Sequence, residues 1–373
     1  MLGGIGAFGI ATGAVFGLQA ASGSTITGTA TAAPAAADQP PVVFGGRGGF
    51  GGYAPSRPGG YGASSGTTGS AVAAPTEATA DQLVGVVDIT TVLGYDNGKA
   101  AGTGMVLTPA GEVLTNNHVV EGATSITVTV LSTGESYDAT VVGTDPTDDV
   151  AVLQLAGAAG LDTVQTDQDA VTAGDAITAV GNAGGAAGTS AAAGTVTALD
   201  QSITATDESS QDAEQLTGLI EIAADVEAGD SGGPLYDADG EVTGMDTAAS
   251  SSGGQAYAIP IATARSIVER IEDGVDDGTV HQGYPAFLGV SVQDAAGGGA
   301  TVAGVVSGGP AEEAGLAAGD TITAVGGTTV TSAEDVSTAL ADLDPGDRVT
   351  VTWTDTAGAA QSDTVILATG PAD

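Results

Sequence analysis

The chain has 373 residues, with six Lys and Arg against 46 Asp and Glu, and its formal net charge at pH 7 is -40. This charge excludes binding to nucleic acid or anionic membranes through a basic surface, because such binding needs positive charge to displace counterions from phosphates. The absence of cysteine excludes disulfides, thiolate metal sites and a cysteine nucleophile, and His118 and His281 alone are too few for a histidine-rich metal cluster.

The N-terminal segment, residues 1–21, has no charged residue from Leu2 to Ala21. It is long enough to cross a bilayer, although its glycines weaken it as a helix. Two interpretations remain open, a membrane anchor and a signal-peptide core cleaved near Ala20 or Ala21, with a buried helix as the alternative. The Lys/Arg-rich flank expected on the cytoplasmic side is missing, so the natural start of the chain also remains open. The first two interpretations place the rest of the chain outside the cytoplasm.

Residues 22–80 are mostly Gly, Ala, Ser, Thr and Pro, and include the run GGRGGFGGYAPSRPGGYG at 45–62. With almost nothing to bury, this stretch is predicted to be a flexible tether. An RNA-binding glycine-arginine segment is disfavoured, because it would hold only Arg47 and Arg57 on a very acidic chain.

Short apolar runs rich in Val, Ile and Thr, separated by turn residues, begin at about residue 82. Their spacing predicts a mainly β fold, with β-barrels over residues 82–275. One helix is expected near the end of this region, where the run ATARSIVERI has a helical period. Its apolar face is formed by Ala264, Ile267, Val268 and Ile271.

Two further segments follow the predicted barrels. The Asp/Gly-rich residues 276–284 are predicted to be a linker, in which His281 is expected to be exposed. Residues 285–370 are predicted to form a second module of strands with two helices, one at AEEAGL and one at SAEDVSTALADL.

The run GDSGGP at 229–234 has the features that a nucleophilic serine needs. Its glycines permit a tight turn that projects Ser231, and the N–H groups of Gly229 and Ser231 could bind a developing oxyanion. A strand, not a helix, is predicted after Ser231, which argues against an α/β-hydrolase nucleophile elbow. The alternative is a plain glycine-rich hairpin turn.

A base and an orienting carboxylate are found upstream of this serine. His118 lies in VLTNNHVV, where a strand ends, and Asp149 directly precedes the apolar strand VAVLQL. The adjacent Asp148 is the alternative carboxylate, since neighbouring residues of a strand point to opposite faces. The order His, Asp, Ser is that of the double-barrel proteases and not that of subtilisins or α/β-hydrolases.

Several motifs along the chain resemble those of the HtrA/Deg family of trypsin-like serine proteases. They are TNNHVV, DDVAVLQL, VGN at 180–182, GTVTAL at 194–199, GDSGGPL at 229–235, GMDTA at 244–248 and YAIP at 257–260. The resemblance implies a chymotrypsin-like double β-barrel over 82–275 and a PDZ domain (α+β) over 285–370. It favours Asp149 over Asp148 and implies a homotrimer. The Asp before Ser231 differs from the Asn of many relatives.

Substrate preference at the primary pocket remains open between two interpretations. Asp225 lies six residues before Ser231, the offset at which trypsin-like enzymes place an acid that pairs with Arg or Lys. The HtrA resemblance instead implies cleavage after small or medium apolar residues. On that interpretation, Thr247, Ala248 and Tyr257 would line the pocket and Asp225 would be a solvated loop acid.

In the second module, the run Phe287, Leu288, Gly289 and Val290 resembles the carboxylate-binding loop of PDZ domains. Such loops capture a peptide C-terminus with backbone N–H groups while the peptide adds a strand to the sheet. The alternative is a small domain that only packs on the protease.

The sequence therefore predicts an extracytoplasmic, membrane-anchored or secreted serine endopeptidase that acts on unfolded or exposed polypeptides and binds peptide C-termini. The alternative is a peptide-binding chaperone or scaffold with little proteolysis. No nucleic-acid partner is expected, and no cofactor is implied because the sequence has no dinucleotide, phosphate or metal motif.

Overall fold

The computed structural model describes residues 42–43, 72–94, 98–167, 169–182, 188–206, 213–250 and 254–372. The predicted anchor, residues 1–21, and most of the predicted tether lie outside these residues. The described chain forms two compact units: the first lies within residues 40–283 and the second consists mainly of residues 284–372.

The first unit is built almost entirely from strands, with two helices. In chain order its elements are β1 (Val42–Val43), β2 (Thr76–Glu77), β3 (Val86–Leu93), β4 (Gly98–Val106), β5 (Glu112–Thr115), α1 (Asn117–Val120), β6 (Ser125–Val130), β7 (Ser136–Asp145), β8 (Val150–Leu155), β9 (Ala176–Gly181), β10 (Ser190–Thr206), β11 (Ala213–Ala223), β12 (Pro234–Tyr236), β13 (Val242–Ser250), β14 (Ala256–Pro260), α2 (Ile261–Glu272) and β15 (His281–Gln282).

These strands close into two six-stranded barrels. The first runs β7-β6-β3-β4-β5-β8 and closes where β7 pairs with β8. The second runs β10-β11-β14-β13-β12-β9 and closes where β9 pairs with β10. Closure removes the exposed strand edges that an open sheet would leave, and the predicted double β-barrel is confirmed.

The alternation of side chains explains why these segments form barrel strands. In β6, Ile126, Val128 and Val130 are buried while the residues between them face outward. This period of two, with β-branched residues inside, is the pattern of a strand with one face in a core. In the second barrel, Ile177, Ile222 and Leu235 belong to one buried cluster.

Helix α2 packs its predicted apolar face into the core of the first unit, which confirms that prediction. Ala264, Ile267, Val268 and Ile271 are all buried, together with Ile261 at the first turn. A helical period of 3.6 residues brings these positions onto one stripe. Among the described residues, none of the helices has the length and apolar character needed to cross a membrane.

Two segments outside the predicted barrels are also strand. The short strands β1 and β2, within the predicted tether, pair with β10 of the second barrel. In the predicted linker, β15 pairs with β7, Val280 is fully buried and His281 is half-buried rather than exposed. The linker prediction is therefore wrong for these residues, because backbone pairing and the burial of Val280 attach them to the first barrel.

The second unit is a small sheet with two helices. Its elements are β16 (Ala286–Phe287), β17 (Val290–Asp294), β18 (Ala300–Val305), α3 (Pro310–Glu313), β19 (Thr321–Val325), β20 (Thr328–Thr329), α4 (Glu334–Ala341), β21 (Arg348–Thr354), β22 (Ala360–Ile366) and β23 (Ala368–Thr369). The main sheet has the order β17-β18-β19-β21-β22, with β20 on β19, and β16 pairs with β23. The two predicted helices correspond to α3 and α4.

A pair of carboxyl groups joins α2 to the first barrel and makes stability depend on pH. Partial burial and a hydrogen bond with Glu272 raise the pKa of Glu112 to about 7. The folded protein therefore holds a proton here that the unfolded chain releases above its ordinary pKa of about 4.5. The stabilising contribution is complete below that value and is lost as pH rises through 7.

The Glu112→Gln variant is expected to remove this dependence. After allowance for solvent screening, its free energy of unfolding should fall by about 1 kcal/mol less than that of the wild type between pH 5 and pH 8. Urea denaturation at both pH values measures this. Glu269→Gln, an exposed change of the same charge on α2, is the control. Equal pH dependence in Glu112→Gln and the wild type would contradict the prediction.

Candidate active site

The Ser231 turn lies between β11 and β12 and depends on glycine. Gly229 has φ 102° and Gly232 has φ 84°, in the left-handed region that side chains rarely adopt. A Cβ on Gly232 would also collide with the carbonyl oxygen of Thr103 on β4. The GDSGGP sequence therefore folds as a tight turn that is seated against the first barrel.

Backbone hydrogen bonds fix the orientation of this turn. Thr103 donates its N–H to the Ser231 carbonyl at 2.8 Å and its hydroxyl to the Gly229 carbonyl at 2.7 Å. On the other side, Gly232 N–H donates to the Asp246 carbonyl at 2.8 Å. Within the described chain, the N–H groups of Gly229 and Ser231 donate to no oxygen. These two donors are thus available to a ligand oxygen.

His118 and Asp149 are brought together by the ends of two strands of the first barrel. His118 lies in α1, directly after β5, and Asp149 directly precedes β8, which pairs with β5. His118 Nδ1 lies 3.0 Å from each carboxylate oxygen of Asp149, and the His118 N–H donates to Oδ1 at 3.0 Å. Asp149 is fully buried, so it holds the ring in a fixed orientation.

The backbone of Asp149 is itself unusual, with φ 54°. Asp tolerates this left-handed conformation better than most residues do, at a modest cost. The Asn116 amide donates to the Asp149 carbonyl at 3.0 Å, which helps to hold the conformation. Asp148, the alternative carboxylate, is partly buried, and its backbone N–H donates to the carboxylate of Asp145. The Asp148 side chain has no hydrogen bond to His118.

Thr247 on β13 connects the second barrel to this pair. Its hydroxyl donates a short hydrogen bond to Asp149 Oδ2, and its carbonyl accepts the Ser231 hydroxyl at 3.2 Å. Asp149 therefore accepts hydrogen bonds from His118 and Thr247, and Ser231 is tied to the same group through Thr247. The three residues separated in sequence lie in one connected arrangement.

Of the residues predicted for the primary pocket, Ala248 on β13 is paired with Tyr257 on β14. Thr247, Ala248 and Tyr257 are each at most 3% exposed, and the Thr247 hydroxyl is directed to Asp149. Burial, with a smaller effect of Glu221, raises the pKa of Tyr257. Asp225 is half-buried in the segment after β11 and has no hydrogen bond to any of these three residues.

Two buried acids behind the serine were not anticipated as site residues. Asp246 is 1% exposed, and burial together with the nearby Asp230 raises its pKa well above the ordinary range. Asp230 accepts the Ser190 hydroxyl at 2.8 Å and the Glu227 N–H at 3.0 Å. Asp246 stands out in the sequence only as an acid in the middle of an apolar strand.

The predicted carboxylate loop lies between β16 and β17 of the second unit. Leu288 and Gly289 turn their carbonyls inward, where they accept the N–H groups of Ala311 and Val306, each at 2.9 Å. The N–H groups of Leu288 and Gly289 donate to no acceptor in the part of the chain that the structure describes. Gly289 has φ 79°, which turns the chain into β17.

Three acidic side chains of the first unit come together in an arrangement that could hold a cation. The carboxylates of Asp167, Asp237 and Glu241 lie within 4.8 Å of one another near the surface. Asp237 Oδ1 also accepts the N–H groups of Asp239 and Glu241, so it closes a turn. The cluster shares no residue with the Ser231 turn or with the pair His118 and Asp149.

Comparisons with known proteins agree with these two units. Residues 102–245 match the trypsin-like peptidase domain model, and residues 286–354 match the PDZ domain model. The chain thus has a trypsin-like peptidase domain followed by a PDZ domain.

The similar curated proteins are serine proteases. A probable periplasmic serine endoprotease DegP-like of Brucella suis is 36% identical over 277 residues, which is 69% of this chain and 51% of the relative. A probable periplasmic serine protease do/HhoA-like of Haemophilus influenzae is 34% identical over 272 residues, 69% of this chain and 56% of the relative. The chain is HtrA-like, as its motifs predict, and spans about half the length of these relatives.

Among solved structures, the serine endoprotease from Yersinia pestis is similar, with 24% identity and a TM-score of 0.43. The match covers 79% of this chain and 99% of that structure.

Proposed function

We propose that the protein is a serine endopeptidase that hydrolyses unfolded or exposed polypeptides. The observation that carries the proposal is the hydrogen-bonded arrangement of His118, Asp149, Thr247 and Ser231 beside a GDSGGP turn. The similarity to DegP-like endoproteases supports the same reaction class.

In the proposed reaction, the Ser231 hydroxyl attacks the scissile carbonyl carbon. Rotation about the Cα–Cβ bond of Ser231 would exchange its bond to the Thr247 carbonyl for one to His118 Nε2. His118 takes the hydroxyl proton and returns it to the leaving amine, which breaks the peptide bond. Water then hydrolyses the acyl-enzyme with His118 again as the base, and Asp149 stabilises the imidazolium in both steps.

The oxyanion that forms during attack is proposed to bind the N–H groups of Gly229 and Ser231. Both groups are left without an acceptor by the hydrogen bonds that fix the turn. Donors preorganised in this way stabilise the developing charge without reorganisation, and each contributes on the order of 3 kcal/mol.

For the primary pocket, we propose that Asp225 is the residue that a P1 side chain meets. It is the only one of the four predicted pocket residues that is not almost fully buried. A carboxylate there favours a P1 Arg or Lys by charge pairing.

The second unit is proposed to bind the C-termini of polypeptides. The N–H groups of Leu288 and Gly289 can receive a terminal carboxylate, and Phe287 and Val290 flank them. A bound peptide would extend the sheet as a strand beside β17. The protein is proposed to act outside the cytoplasm, in line with the periplasmic designation of its relatives. A homotrimer and an N-terminal tether remain proposals.

The direct test is hydrolysis of casein by the full chain, with the fragments identified by mass spectrometry. Internal cleavages of casein are expected, and the residue before each new terminus reports the P1 preference. A folded, monodisperse protein that leaves casein intact would contradict the proposed activity. If such an inactive protein still suppressed casein aggregation, the result would favour the alternative of a peptide-binding chaperone or scaffold.

The Thr247→Val variant is expected to lower kcat by about tenfold while KM stays within twofold, because one hydrogen bond to a buried carboxylate is lost. Kinetics on a fluorogenic peptide separate the two constants. Thr243→Val on the same strand is the matched control, because Thr243 is also almost fully buried but has no hydrogen bond to Asp149 or Ser231. Equal losses in the two variants would show that Thr247 acts only through packing.

A further inference from the structure

The strand that would receive a peptide is free along one edge. In the described sheet, β17 pairs with β18 alone and forms the end of the order β17-β18-β19-β21-β22. A peptide whose terminal carboxylate lies at Leu288 and Gly289 must run antiparallel to β17. Its preceding residues therefore extend along β17 toward Asp294.

The two ends of this path differ in chemistry. Val290 and Val292 alternate onto one face of β17 and pack against the core that α4 also covers with Ala339 and Leu340. The next residue on that face is Asp294, whose carboxylate accepts the Ala333 N–H at 2.8 Å at the start of α4. The strip of surface between β17 and α4, here called the groove, is thus apolar near the carboxylate loop and acidic at its far end.

The acidic end carries three carboxylates. Asp294 and Glu334 are exposed, and Asp335 accepts the Thr331 hydroxyl and N–H, each at 2.6 Å. These hydrogen bonds lower the pKa of Asp335, so it stays charged at neutral pH. The module has few positive charges of its own to balance these carboxylates. Between residues 285 and 370 there are eleven Asp and Glu and one basic residue, Arg348, on β21.

We infer that this groove selects polypeptide C-termini that carry Lys or Arg three or four residues before the terminal residue. The spacing follows from the strand rise of about 3.3 Å per residue, which places that side chain beside Asp294 when the carboxylate is at Gly289. A cation there also offsets the repulsion between the peptide carboxylate and an acidic domain. The inference rests on the proposed capture of C-termini by this module.

The test uses the full chain as the Ser231→Ala variant, so that probe peptides are not cleaved. Fluorescein-labelled eight-residue peptides end in Ala-Val with a free carboxylate and carry Lys, Ala or Glu at both the third and fourth positions before the terminal residue. Fluorescence anisotropy gives the Kd of each. The Lys peptide is expected to bind about tenfold more tightly than the Glu peptide at low salt, and the difference should shrink in 0.5 M NaCl.

Variants and a blocked peptide distinguish the outcomes. Asp294→Asn combined with Glu334→Gln should remove most of the Lys preference, whereas Asp363→Asn on β22, at the opposite edge of the sheet, should leave it intact. Asn and Gln keep hydrogen-bonding groups at the replaced positions, so the Ala333 N–H should keep an acceptor at the start of α4. Persistence of the preference in the double variant would overturn the inference.

The C-terminally amidated Lys peptide separates this inference from the function on which it rests. If free acids bind more tightly than the amide but Lys and Glu peptides bind equally, the charge selection is wrong and the capture of C-termini stands. If the amide binds as well as the free acid, or if neither binds, the proposed capture of C-termini is itself wrong.

Discussion

The Ser231→Ala variant is expected to hydrolyse casein about a millionfold more slowly than the wild type, because it lacks the hydroxyl that forms the acyl-enzyme. Its fold should be unchanged, since the turn is held by backbone bonds from Thr103 and to Asp246 that do not involve the hydroxyl. The rate of casein hydrolysis at saturating substrate measures the effect. Ser266→Ala, at an exposed position on α2, is the control and should retain full activity.

Two observations decide the outcome of that experiment. Near-normal hydrolysis by Ser231→Ala would show that another nucleophile acts, and the proposed mechanism would be wrong. Retained suppression of casein aggregation by the inactive variant would show that polypeptide binding does not require the serine, which is compatible with the proposed role of the second unit.

The Asp149→Asn variant is expected to lose about 10⁴-fold in kcat. An amide cannot accept the hydrogen bonds of both His118 and Thr247 in the way that the carboxylate does, so the imidazole loses its tautomer and the stabilisation of its charged form. Asn also tolerates the positive φ of this position, so the variant should fold. The kcat on a fluorogenic peptide, with circular dichroism for the fold, measures the loss.

Asp148→Asn is the matched control for this change. Both variants replace a carboxylate with an amide and remove one negative charge, but Asp148 has no hydrogen bond to His118. Activity within twofold of the wild type is expected. A large loss in Asp148→Asn with little loss in Asp149→Asn would reverse the assignment of the carboxylate.

Local patterns in the sequence were sufficient for most of the fold. Strands such as β6 alternate buried and exposed residues, and the apolar stripe of α2 repeats with the helical period, so both could be predicted from neighbouring residues alone. The pairing of β15 with β7 could not, because it depends on where the chain returns after α2. The Asp and Gly residues of that segment predict a linker, although Val280 within it is fully buried.

The candidate site shows the same division. His118 and Ser231 could be predicted from residue type, order and turn chemistry, whereas the choice of Asp149 over Asp148 depended on the family resemblance. The contact of Thr247 with Asp149 joins residues 98 positions apart, and no local pattern around Thr247 indicates it. The burial of Asp246 beside Asp230 likewise arises only when β13 packs behind the Ser231 turn. Long-range packing of the two barrels decides these contacts.

Active-site labelling tests the central claim most directly. The full chain is treated with a fluorophosphonate, digested and mapped by mass spectrometry, in parallel with the His118→Ala variant. The account predicts one stable adduct, on the Ser231 hydroxyl, and loss of that adduct without the imidazole. An adduct on another residue, or equal labelling of Ser231 in His118→Ala, would contradict it.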